Sequence, residues 1–121
     1  MREYKFRAWD KEQKRMFDLY GLDKDHVYEQ SLNDYTDSVH PRAICEINQW
    51  TEIDNIFEGD ILFFPELNKH TDVYFQDGSF RILLPGEDES INLTEQFLDA
   101  NYVEVAGNVY ENPEMLVPKS L

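Results

Sequence analysis

Tyr102-Val103-Glu104-Val105-Ala106-Gly107-Asn108-Val109-Tyr110-Glu111-Asn112-Pro113-Glu114-Met115-Leu116 begins as an alternating pattern. Val103, Val105, Gly107 and Val109 fall on one face, and Tyr102, Glu104, Ala106, Asn108 and Tyr110 on the other, which is the period of a strand. Asn112-Pro113 then reads as an N-cap followed by proline at the first helical position. The stretch predicts a strand, an abrupt stop and one helical turn. It carries a fold signal and no catalytic one.

Similar strand signals recur upstream. Tyr4, Phe6 and Ala8 alternate with Lys5, Arg7 and Trp9. Asp10 to Lys14 reads as a polar turn and Arg15 to Tyr20 as the returning strand. Gly21 to Ser38 is polar; Asp23 and Asp25 are candidate helix starts, so this region is either a weak helix or an ordered loop. His40-Pro41 breaks whatever precedes it, and Ala43 to Trp50 reads as a strand. Glu58-Gly59-Asp60 predicts a sharp turn into Ile61 to Phe64, because glycine takes backbone conformations that other residues resist. Pro65 ends that strand or marks an edge. Asp77-Gly78 lies between Asp72-Gln76 and Ser79-Leu84, and it suits a tight two-residue hairpin turn. Ile91 to Ala100 reads as strand or short helix, with Thr94 to Asp99 favouring helix. No repeat or linker marks a boundary, so residues 1–121 are expected to form a single domain.

The chain carries a formal net charge of −14. Such a charge repels nucleic-acid phosphates and anionic membranes, which argues against direct binding to either. Residues 1–15 hold six cations against three carboxylates, a net of +3, leaving −17 for the remainder. Lys5, Arg7 and Trp9, on the outer face of this basic hairpin, are the candidate partner-binding residues. They would dock on a protein partner or on a second copy, giving a homo-oligomer; a monomer whose hairpin neutralises its own surface is the competing expectation. The single cysteine, Cys45, lies in an apolar run and is expected to be a buried, inert thiol. No apolar run reaches the roughly 18 residues of a membrane span. The N-terminal residues lack the pattern of a signal peptide, so the expected location is cytoplasmic.

Catalytic patterns are hard to find. His26, His40 and His70 lack the spacing of a zinc site, the five glycines are solitary, and no serine sits in a nucleophile elbow. Asp54, Glu58 and Asp60 form an acidic cluster that suits a divalent cation or an acid/base pair. With 25 carboxylates in the chain, a solvated surface explains that cluster and Glu87-Asp88-Glu89 more simply.

Three groups of residues resemble the YopX family of small bacteriophage and prophage proteins. They are Lys5-Phe6-Arg7-Ala8-Trp9-Asp10-Lys11, then Gln49-Trp50-Thr51 with Phe57-Glu58-Gly59-Asp60-Ile61, and the tail from Val103 to Glu114. Asp77-Gly78-Ser79-Phe80 looks like the family's central hairpin. The sequence departs from the family pattern at Glu52-Ile53-Asp54-Asn55-Ile56, which replaces a longer loop containing glycine and asparagine. The resemblance implies a mainly β fold with an SH3-like barrel and one or two short helices, and a home in a bacterial host cell. It supplies no catalytic residue, metal ligand or cofactor.

The expected function is therefore that of a non-enzymatic accessory protein that binds a host or phage protein. Two alternatives stand beside it. One is an acidic nucleic-acid mimic that inhibits a host DNA-binding protein; the other is a metal-assisted hydrolase using Asp54, Glu58 and Asp60.

Overall fold

The computed structural model describes residues 5–29 and 39–116. They are mainly β, in three antiparallel sheets with one short α-helix. The chain divides after Trp50 into two compact units, each with its own core.

The N-terminal unit is a five-stranded sheet in the order β4-β3-β2-β1-β5. Its strands are β1 (Phe6–Asp10), β2 (Arg15–Leu22), β3 (His26–Glu29), β4 (Val39–Pro41) and β5 (Cys45–Gln49). The predicted first hairpin forms, with Ala8 opposite Phe17 and Asp10 opposite Arg15. Asp10 is a strand end and also the cap of the turn: its Oδ1 accepts the Glu12 and Gln13 N–H groups at 2.9 and 2.8 Å. Ala8, Phe17, Leu19 and Val27 are buried together, with Phe6, Cys45 and Ile47 packed against them.

Gly21 to Glu29 is neither the weak helix nor the loop expected from sequence. β2 runs on to Leu22, and Asp23 turns the chain into β3. The Asp23 Oδ1 accepts the Asp25 and His26 N–H groups at 2.9 and 2.7 Å, and its own N–H donates to the His26 carbonyl at 2.9 Å. An aspartate that offers its side chain to the backbone two and three residues on serves a turn as well as a helix start. Burial of Val27 against the core favours the strand. The rest of that stretch, residues 30–38, lies outside the described residues.

A single 3-10 turn, Arg42–Ile44, links β4 to β5, although these strands occupy opposite edges of the sheet. On a flat sheet β4 and β1 would stand three spacings apart, roughly 14 Å. His40 on β4 nevertheless lies 2.7 Å from Asp10 on β1, so the sheet curls strongly. Among the described residues no strand pairing joins its edges, and the expected barrel is not closed.

The C-terminal unit contains two three-stranded sheets, β10-β9-β8 and β11-β6-β7. Its elements are β6 (Asp60–Phe64), β7 (Lys69–Asp72), β8 (Tyr74–Gln76), β9 (Ser79–Ile82), β10 (Ile91–Asn92), α1 (Glu95–Ala100) and β11 (Glu104–Asn108). The Asp-Gly hairpin forms as predicted, with φ of 53° at Asp77 and 81° at Gly78. The predicted strand Asp72–Gln76 is split at Val73. That residue is 1% exposed and donates to the Asp60 carbonyl at 2.9 Å while the chain crosses from one sheet to the other. The ambiguous stretch from Ile91 to Ala100 contains both alternatives. A two-residue strand leads to Thr94, whose hydroxyl caps α1 by accepting the Phe97 N–H at 3.1 Å. Ile56, Leu62, Phe64, Val73, Ile82, Leu84 and Leu93 form the core, covered in part by Phe97 and Leu98 of α1.

The tail strand departs from strict alternation. A bulge falls between Val105 and Gly107: Val105 opposes Leu62, whereas Gly107 opposes Ile61. Leu62 and Ile61 point to opposite sides of β6, so Val105 and Gly107 do too. Asn112-Pro113 does open a helical turn, the 3-10 segment Pro113–Met115, but the Asn112 side chain does not cap it.

Candidate functional site

The N-terminal unit holds a polar cluster, buried at Asp10 and His40 and open to solvent at Arg15, that no sequence pattern announced. His40 is 1% exposed and stacks on Phe17 with ring centroids 4.1 Å apart. Its Nδ1 lies 2.7 Å from Asp10 Oδ2 and its Nε2 lies 2.9 Å from Glu29 Oε1. The Arg15 guanidinium grips Glu29 with two bonds, 3.0 Å to Oε2 and 2.5 Å to Oε1. Arg15, His40 and the carboxylates of Asp10 and Glu29 thus join β1, β2, β3 and β4.

Burial pushes the Asp10 carboxyl up. The Gln13 N–H, His40 and the Glu12 N–H outweigh it, so the group sits below its ordinary value. Glu29 is also held low, first by the hydrogen bonds from Arg15, against a desolvation penalty and with help from His40. Both ring nitrogens of His40 are engaged by carboxylates within the cluster, so the ring ties β4 to β1 and β3. Cys45, which opposes Asp10 across the sheet, has its thiol pushed up by burial. It is half-buried, and the raised value keeps it protonated and unreactive.

The predicted binding residues share a stretch of chain. Lys5, just before β1, is exposed, and its ammonium lies 4.5 Å from the Trp50 ring centroid. Arg7 and Trp9 are half-buried on the face of β1 opposite Ala8 and Asp10. The Arg7 Nε donates to Asn48 Oδ1 at 3.4 Å, and Trp9 lies between Met16 and Glu46 of the flanking strands. Two other cations of the basic segment have carboxylate partners: Arg15 has Glu29, and Lys11 has Glu46 at 2.8 Å.

The acidic trio of the hydrolase alternative is put to different uses. Asp60 is 2% exposed, and its Oδ2 accepts the Phe57 N–H at 2.8 Å, closing the turn around Gly59. Asp54 is exposed on a short loop. Among the described residues no group of three His, Cys, Asp or Glu side chains is placed to hold a metal ion.

The family-like tail motif closes on itself. Asn108 Oδ1 accepts the Tyr110 and Glu111 N–H groups at 3.1 and 2.9 Å, and its Nδ2 donates to Glu111 Oε1 at 2.8 Å. Asn112 folds back so that its Oδ1 accepts the Asn108 N–H at 3.3 Å. A Cβ on Gly107 would overlap that carboxamide, which is the physical reason for glycine there. The clasp is anchored through Gly59, whose carbonyl accepts the Val109 N–H and whose N–H donates to the Val73 carbonyl, both at 2.8 Å.

Beside β11 the C-terminal unit opens into a cleft of about 250 Å³ lined by Asp54, Asn55, Ile56, Leu98, Val103 and Val105. A second hollow adjoins it through Asp54 and Leu98 and is bordered by Glu95 and Asp99. The loop that forms one wall is held by Thr51, whose hydroxyl donates to the Ile56 carbonyl at 2.7 Å. Glu52 and Asp54 in that loop have φ of 70° and 46°. The wall is the same segment in which the sequence departs from the family pattern. Sequence reading missed the cleft because its apolar residues come from a loop, a helix and a strand far apart in the chain.

No helix among the described residues is long and apolar enough to cross a membrane. No curated protein matches the chain. Among solved structures, the crystal structure of protein EF1440 from Enterococcus faecalis matches with a TM-score of 0.66, covering 97% of this chain and 100% of that one. At 22% identity the likeness is one of fold. The family model described as YopX protein matches residues 5–117, taking in both units and the tail clasp, and the chain belongs to the YopX family.

Proposed function

We propose that the chain is a phage or prophage accessory protein of the bacterial cytoplasm that acts by binding another protein and catalyses no reaction. The observation that carries this reading is an unfinished apolar face. Leu62 is fully buried, whereas Val105, opposite it on the same face, is 50% exposed. Val105 borders the cleft that Ile56, Leu98 and Val103 also line, so a partner seated there would extend the core outward. The strand order of the N-terminal sheet, with its edge strands linked by one 3-10 turn, supports an open, SH3-like curl, and the step from that curl to a binding scaffold is one of analogy. The test is affinity capture from lysate of the bacterial host, followed by reconstitution with the purified partner. A stoichiometric complex by sedimentation is expected. Turnover of a substrate by the purified chain would overturn the reading.

The nucleic-acid mimic is a second reading, favoured by where the acidity lies. From Thr51 onward fifteen carboxylates meet three cations, so −12 of the total −14 belongs to the C-terminal unit. Mimicry predicts that duplex DNA displaces the captured protein. A calorimetric titration with magnesium, manganese and calcium addresses the hydrolase reading, which requires tight binding that Asp60→Ala abolishes.

A further inference from the structure

We infer that the cleft beside β11 is a docking site for a basic, aliphatic peptide segment of a protein partner. The inference rests on the protein-binding reading above and adds the site and the chemistry of what it takes. Ile56, Leu98, Val103 and Val105 form the apolar side of a hollow of about 250 Å³ whose other side is Asp54 and Asn55, room for one or two aliphatic side chains. Ile56 belongs to the buried core, with Leu98 and Val103 packed against it. An aliphatic guest would thus continue that core outward and remove Val105 from water.

The rim sets the charge of the guest. Asp54, Glu95 and Asp99 border the two adjoining hollows, and all three are exposed. A lysine or arginine flanking an aliphatic residue meets complementary charge here, whereas an acidic or purely apolar segment does not. The net −12 of the unit would steer such a partner towards it.

The experiment is fluorescence anisotropy on the full chain with a fluorescein-labelled Lys-Leu-Lys-Val-Lys-Leu peptide and its glutamate-for-lysine analogue. The lysyl peptide should bind, the glutamyl one should not, and raising salt from about 50 to about 500 mM should weaken binding several-fold by screening. Asp54→Asn/Asp99→Asn should weaken it about tenfold, the effect of losing roughly 1.4 kcal/mol of attraction. These replacements are mild, since asparagine tolerates the positive φ of Asp54 and removing a negative charge suits the last turn of α1. Leu98→Ala should weaken binding as well. Glu87→Gln/Glu89→Gln, in an exposed loop that does not border the cleft, should leave it unchanged. Absence of binding, or equal weakening by the loop and cleft variants, would overturn the inference. So would a concentration-dependent dimer that the cleft variant dissolves, which would assign the cleft to a second copy. If the cleft variant still captures the lysate partner at full strength, the cleft assignment fails and the protein-binding reading stands. If the peptide binds as expected and no lysate protein associates, the site stands and the functional reading fails.

Discussion

His40 and Asp10 are thirty positions apart and share a 2.7 Å hydrogen bond at which both side chains are 1% exposed. The same aspartate caps its own turn through the other oxygen. Removing the imidazole therefore leaves a buried carboxylate facing a cavity. His40→Ala should cost about 3 kcal/mol, the upper part of the range for leaving a buried polar group without its hydrogen-bond partner. Asp10→Asn keeps an oxygen for the turn and should cost less. Urea unfolding followed by tryptophan fluorescence, with equal m-values required, checks the order.

Acid should loosen this unit. Asp10 and Glu29 are held below their ordinary values of 3.8 and 4.5. A depressed carboxyl stabilises the fold above its unfolded value, and that contribution is lost as pH falls through the folded one. Stability should thus be flat near neutrality and decline below pH of about 4. A pH series of thermal melts tests this, and Glu29→Gln should make the decline shallower.

Asp23 gives a local readout. The Tyr28 hydroxyl donates to its Oδ2 at 2.6 Å, and with the Asp25 and His26 N–H groups it holds the carboxyl at about 2. Tyr28→Phe removes the largest of these causes. An NMR titration of the carboxyl carbon should then move from about 2 towards the ordinary 3.8.

The tail clasp is a coupled pair. Gly107→Ala forces the Asn112 carboxamide away and should cost about 1–3 kcal/mol, the range for overpacking. Asn112→Ala removes the obstructing group and its bond to the Asn108 N–H. The double variant should lose less than the sum of the single ones, a coupling of at least about 0.5 kcal/mol in a double-mutant cycle. Strict additivity would show that the two residues do not meet.

Self-association through Lys5, Arg7 and Trp9 predicts an oligomer in low salt at tens of micromolar. Light scattering should show it dissociating in high salt and in Arg7→Glu/Trp9→Ala. An oligomer that survives both would point to a more apolar surface.

Elements with a local signature were legible in the sequence. Asp77-Gly78 needs only its own backbone preference, and the alternation of Phe6 to Trp9 needs only one buried face. Two kinds of feature were not. Asp23 offers the same side-chain oxygen to a helix start or a hairpin turn, and Val27, packing into a core built from other strands, decides between them. The bulge at Ala106 and the split at Val73 depend on partners on β6, which periodicity along one strand cannot register. The His40 cluster and the cleft are illegible for a related reason. Each is assembled from segments that meet only after folding, and a lone histidine or a scattered leucine carries no mark of that meeting.

Gly59 ties residues 59, 73 and 109 into one backbone network, and this has a kinetic consequence. The β8–β9 hairpin closes across two residues and β6–β7 across four, both fast local events. β11 must find β6 across some forty intervening residues, a loop whose closure entropy is spent before any ladder bond forms. Refolding of the C-terminal unit should therefore begin with hairpins and finish with the docking of β11. During that interval the β11-facing edge of β6, carrying Leu62 and Phe64, is unpaired. Such an edge invites intermolecular strand pairing, which the mutual repulsion of chains at a formal net charge of −14 would oppose.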